Sequence, residues 1–136
     1  MMSREIRFRA WDKIFKQMIG PFNLWDLDIE YDIRADLDYK DMRFEGKSLR
    51  DVEWMQFTGL KDKNGVEIYE GDIVKYDDPS NEKFSVGVME WFPLYLAFTI
   101  KDKGSNITIE SYKYELEIIG NIYEHPELLE KVNEVG

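Results

Sequence analysis

The chain has 136 residues, of which 43% are hydrophobic and 15% aromatic, enough to build a core and to exclude a disordered chain. Its formal net charge of -10 argues against direct binding to nucleic acid or an anionic membrane, both of which demand a concentrated basic surface. Cysteine is absent, which removes disulfide scaffolds, zinc–cysteine sites and thiol catalysis and fits a reducing compartment.

No apolar run approaches the roughly 18 residues of a membrane span. The opening MMSREIRFRAWDKIF is basic without an apolar signal core, so neither membrane insertion nor secretion is expected. In EIRFRAWD, Ile6, Phe8 and Ala10 alternate with Arg7 and Arg9, a strand pattern. KIFKQMIGPF reads as a second strand ended by Gly20-Pro21. The stretch LWDLDIEYDIRADLDY then carries a charge at every even position from 26 to 38 and apolar residues or Ala at the odd ones. This period of two predicts a strand, since a helix would scatter the acids around its circumference.

EWMQFTG predicts another strand, with Trp54, like Trp11, placed in the core. Asn64-Gly65 is the dipeptide preferred where two successive residues take positive φ in a hairpin turn. DIVKY, FSVGVMEWF and LYLAFTI predict three further strands, with DDPSNEK as a surface loop and KDKGSN as a turn. ITIESYKYELEIIGNIYE supplies one or two more. Pro126, Glu127 and the spacing of Leu128, Leu129 and Val132 predict a short helix over 125–134. The expected fold is mainly β: a small sandwich or SH3-like barrel of short antiparallel strands closed by a short C-terminal helix. One domain is expected over 1–136, made of N-terminal strands and the acidic segment (1–56), a β core (57–124) and that helix (125–134).

Chemistry is scarce. Asp26, Asp28 and Glu30 have the spacing that opens a calcium loop, but Tyr31 and Leu37 occupy the positions that need Gly and a bidentate Glu. His125 is the only histidine, so no multi-histidine metal site or paired-histidine catalysis can form within one chain. Asp62 and Asp72 sit in turns, where Asp accepts backbone hydrogen bonds. Gly59, Gly65 and Gly71 lack the Lys-Ser/Thr or following helix of a phosphate loop. No enzyme activity, metal or cofactor is expected. Two candidate interaction surfaces stand out. One is the acidic row Asp26, Asp28, Glu30, Asp32, Asp36 and Asp38. The other is the cluster of Trp91, Phe92 and Tyr95, where bulky residues crowd a turn around Pro93.

FTGLKDKNGVEIYEGDIVKY, ELEIIGNIYEHPELL and the opening REIRFRAWDKIFKQM occur in the order that characterises the YopX family of phage and prophage proteins, which the chain resembles over most of its length. The resemblance implies a small, mainly β protein in a bacterial cytoplasm and brings no catalytic residues with it. In that setting the expected role is an accessory, non-catalytic protein-interaction module. It would bind a protein partner or itself, with a homo-oligomer as one form. The alternative is an acidic DNA mimic that occupies a host nucleic-acid-binding protein. Alternate residues of a strand lie about 6.6 Å apart, close to twice the roughly 3.4 Å rise per phosphate of duplex DNA.

Overall fold

The computed structural model describes residues 5–32, 39–77, 84–109 and 115–130. Two compact units divide the chain, residues 1–56 and residues 57–136.

In the first unit, β1 (Phe8–Asp12) pairs with β2 (Gln17–Phe22) on one side and with the first half of β6 (Val52–Lys61) on the other. Both pairings are antiparallel. β3 (Asp28–Asp32), β4 (Tyr39–Phe44) and β5 (Lys47–Ser48) form a separate three-stranded antiparallel sheet. Ala10, Ile19, Phe22 and Leu49 make the core, flanked by Phe8, Leu27, Phe44 and Val52. Phe22 stacks on Phe44 with ring centroids 4.8 Å apart. Ala10 follows the expected alternation, but Ile6 precedes the strand and is exposed. Trp11 is buried as expected. Trp54 is 39% exposed, which corrects its placement in the core. It stands opposite Ala10 and meets Phe8 and Phe22 edge-on, so its ring covers a small residue and keeps an outer face in solvent.

In the second unit, β8 (Asp72–Asp77), β9 (Phe84–Phe92), β10 (Ala97–Asp102), β11 (Ser105–Thr108) and β12 (Glu117–Asn121) form an antiparallel sheet in the order β11-β10-β9-β8-β12. The second half of β6 pairs with β7 (Glu67–Tyr69). Ile68, Val74, Tyr76, Met89, Phe98, Ile100 and Leu116 form the core. Each buried apolar side chain of this size contributes roughly 1.5–3 kcal/mol, offset by the entropy of ordering it. A Cβ at Gly87 would stand 2.3 Å from Ile100 Cγ2 and 3.0 Å from the Lys101 carbonyl, so β9 and β10 require glycine there.

Three expectations are corrected. At Asn64-Gly65 only Gly65 takes positive φ. Gly65 N–H donates to the Asp62 carbonyl at 2.9 Å and Asp62 N–H to the Val66 carbonyl at 2.8 Å, a three-residue loop ending in a left-handed glycine. Two successive positive φ values occur instead at Lys103-Gly104 and Glu45-Gly46. Residues 94–96 do not begin a strand: Pro93–Tyr95 is a 3-10 turn and the strand starts at Ala97. At the C-terminus the expected helix over 125–134 is not seen as such among the described residues: Pro126–Leu128 is a 3-10 turn with no side-chain cap from His125, Leu129 and Glu130 follow in helical conformation, and 131–134 lie outside the described residues. The His125 ring is engaged elsewhere, accepting the Asn121 N–H at 3.2 Å through Nδ1.

Candidate functional site

The β9–β10 connection is built from residues without charge. Phe92 pairs with Ala97 and Trp91 with Phe98, so residues 93–96 form the loop. Pro93 presets the first helical φ of the 3-10 turn. Leu96 closes it in the left-handed region at φ 48 and donates its N–H to the Pro93 carbonyl at 3.1 Å. A leucine there costs on the order of 1–2 kcal/mol relative to a right-handed residue. Aromatic contacts hold the loop from beneath: Phe92 meets Tyr95 edge-on at 4.8 Å and Trp91 meets Phe98 at 5.2 Å.

The consequence is an ordered apolar projection. Leu94 is 83%, Leu96 79% and Tyr95 55% exposed, with Trp91 at 42%. The structure brings Phe92 and Tyr95 together, while Trp91, the residue before Phe92 in β9, meets Phe98 instead. Sequence reasoning placed Leu94 among the bulky residues crowding the turn but missed Leu96, which is 79% exposed, because it assigned it to a strand. The available signal was the absence of any charge from Trp91 through Ile100 in a chain with 34% charged residues.

The acidic row lies in the other unit. Asp26 ends a 3-10 turn and its Oδ2 accepts the Asn23 N–H at 2.9 Å, while Asn23 Oδ1 accepts the Trp25 N–H. This reciprocal cap leaves Trp25 93% exposed. Asp28, Glu30 and Asp32 alternate along β3 as expected, in register with Arg43, Asp41 and Tyr39 of β4. Asp28 stands opposite Arg43 across the ladder. Asp36 and Asp38 lie outside the described residues.

Other carboxylates serve the backbone. Asp62 Oδ1 accepts the N–H groups of Asn64 at 2.8 Å and Val66 at 2.9 Å, and its Oδ2 accepts that of Ile118 at 3.1 Å. Asp72 Oδ2 accepts the Tyr69 N–H at 2.7 Å. Among the described residues no three His, Cys, Asp or Glu side chains gather where they could hold a metal. No helix among them is long and apolar enough to cross a membrane.

A family model described as "YopX protein" matches residues 7–130. The chain belongs to the YopX family. Its fold is similar to that of the YopX relative EF1440 from Enterococcus faecalis, at 29% identity and a TM-score of 0.60 over 93% of this chain and 99% of that one. It is also similar to the fold of the protein yopX from Bacillus subtilis, at 19% identity and a TM-score of 0.51 over 90% and 96% of the two chains. No curated protein matches the chain. YopX membership carries the fold and no activity.

Proposed function

We propose that the protein is a non-catalytic interaction module of phage or prophage origin, working in the bacterial cytoplasm, whose β9–β10 turn docks into another protein. The observation that carries this reading is the turn itself. Leucine, tyrosine and tryptophan stand in solvent on a rigid aromatic base, with a leucine held in the left-handed region, an arrangement that costs stability until a partner covers it. Aromatic anchors on an ordered turn lose little entropy on binding. Residues 57–136 hold 16 acids and 8 bases. Two copies meeting through this unit would therefore repel, and the fitting partner is a different protein with an apolar cleft and a basic rim. The employment of Asp62, Asp72 and His125 as backbone acceptors supports a structural use of groups that could otherwise serve catalysis.

The acidic-decoy reading has less support, since Asp26 is committed to a cap and Asp28 stands in register with Arg43. The test is capture by the intact protein and by a Leu94→Asp, Leu96→Asp variant, each washed with rising salt. A captured protein that survives high salt and is lost in the variant supports the turn. Capture that ignores the variant and releases at moderate salt returns the reading to the acidic row. A dimer of the purified protein abolished by the variant makes the occupant a second copy.

A further inference from the structure

Asn64 is the one asparagine of the chain that precedes a glycine. It lies in an exposed stretch, residues 63–66. Asn23, Asn106 and Asn121 commit their side-chain amides to hydrogen bonds with Trp25, with Glu90 and Thr99, and with Tyr123 and Glu124. Among the described residues no hydrogen bond holds the side-chain amide of Asn64, so its Cγ can turn toward the next backbone nitrogen. That nitrogen belongs to Gly65, where even an added Cβ would meet nothing within 4 Å. Sterics therefore do not shield it.

Asparagine is a thermolabile side chain, and this arrangement supports its deamidation through a cyclic imide. The Gly65 nitrogen loses its proton to hydroxide and bonds to Asn64 Cγ. The Cγ–Nδ2 bond breaks, and Nδ2 leaves as ammonia with a proton returned from water. Water then opens the imide. Cleavage of the new N–Cγ bond leaves aspartate. Cleavage of the original backbone C–N bond leaves isoaspartate, with the chain routed through Cγ and the former backbone carbonyl set free as a carboxylate. In sum, the amide and one water give a carboxylic acid and ammonia, with no oxidant or reductant.

The turn restrains this reaction. Gly65 N–H donates to the Asp62 carbonyl at 2.9 Å, which keeps the proton on the nitrogen, and Asn64 N–H donates to Asp62 Oδ1 at 2.8 Å. Attack requires the turn to open, and opening a short exposed loop is a local event. The same loop fastens the segment that leads into β12. Lys63 N–H donates to the Leu116 carbonyl at 2.9 Å, and Ile118 N–H to Asp62 Oδ2 at 3.1 Å. We propose that Asn64 is a self-modification site of the folded protein: opening of the Asp62 turn converts it to aspartate and isoaspartate, and the isoaspartyl product loosens β12. Isoaspartate adds a methylene to a loop whose length is set by the hydrogen bond from Asp62 N–H to the Val66 carbonyl. It also adds a carboxylate close to that of Asp62. This site is independent of the β9–β10 turn, and either reading can fail without the other.

The test is ageing of the intact protein at mildly alkaline pH, followed by peptide mass spectrometry with chromatographic separation of the two products. Conversion is expected at Asn64 ahead of Asn23, Asn106 and Asn121, and more slowly than in the same chain unfolded in urea. Asp62→Ala should speed it about tenfold, the scale of the hydrogen bonds that keep the turn closed. Asn64→Gln should stop it, because glutamine must close a larger ring. The isoaspartyl form isolated from wild type needs no variant: its Ile118 amide should lose hydrogen-exchange protection while the amides of β9 and β10 keep theirs. The proposal is overturned by an Asn64 that stays intact in the folded protein, by conversion no faster than at the other asparagines, by an unchanged rate in folded Asp62→Ala, or by an isoaspartyl form with wild-type protection at Ile118.

Discussion

Gly120 lies directly beneath the imidazole of His125: a Cβ at residue 120 would stand 2.7 Å from His125 Nδ1, 2.8 Å from its Cγ and 2.9 Å from Leu128 Cδ1. The ring closes a turn in which Asn121 Oδ1 accepts the N–H groups of Tyr123 and Glu124, and the Asn121 carbonyl accepts that of His125. Because Nδ1 accepts the Asn121 N–H, the ring carries its proton on Nε2. Gly120→Ala should cost about 1–3 kcal/mol by overpacking and shift the Asn121 amide resonance. Adding His125→Ala should recover part of that loss, since the main obstacle is then gone. Urea unfolding midpoints measure both, and an unchanged midpoint in Gly120→Ala would refute the contact.

Asp62 carries the β6–β7 loop and fastens it to β12. Asp62→Ala strands three N–H groups, those of Asn64, Val66 and Ile118. With the side chain 7% exposed, the expected loss is about 2–4 kcal/mol. Asp62→Asn should fall between, because one amide oxygen can serve the loop while its NH2 cannot accept from Ile118. Hydrogen exchange separates the two: the Ile118 amide should lose protection in both variants, and the Val66 amide only in the alanine.

Tyr76 donates its hydroxyl to Asp102 Oδ2 at 2.6 Å inside the second core, and Asp102 Oδ1 is buried without a partner. Tyr76→Phe removes that donor and should destabilise by about 2–4 kcal/mol. Combining it with Asp102→Ala should cost less than the two single changes added, since the stranded carboxylate is removed. A double-mutant cycle by chemical unfolding reads the coupling, and strict additivity would count against it.

Glu117 sits between two lysines, with Lys63 Nζ at 3.2 Å and Lys75 Nζ at 3.3 Å. The hydrogen bond from Lys63, and next that from Lys75, hold its carboxyl below the ordinary value of 4.5. A depressed folded-state value means that the stabilisation is present above the unfolded value and lost as pH falls through the folded one. Glu117→Gln should therefore be less stable than wild type at neutral pH and equal to it in strong acid. High salt should narrow the neutral-pH gap, because the ion pairs are partly exposed. Unfolding midpoints across pH, with and without salt, check both statements.

Period-two alternation and turn residues identify β1, β8 and β9 in the sequence because these signals act between neighbours along the chain. The same local logic marked a turn at Asn64-Gly65 but not its type. The arrangement there includes Asp62 Oδ2, which meets a backbone group 56 residues away. It placed residues 94–96 in a strand because their pattern is apolar, whereas the 3-10 turn after Pro93 turned them into solvent and formed the candidate docking surface. It predicted a helix from Pro126 and its leucines, whereas among the described residues Pro126–Leu128 is a 3-10 turn and His125 packs on Gly120. A cavity beside Asp12, between the β1–β2 and β4–β5 turns, could not be read at all, since its walls are two turns far apart in the chain. What the sequence alone determined is the mainly β class and several of its strands, β1, β8 and β9 among them; β4, β5 and β7 were not read from it. Only the tertiary structure decided which carboxylates serve the backbone, which apolar side chains are left in water and where two distant turns enclose a cavity, because those depend on contacts between segments that no local pattern encodes.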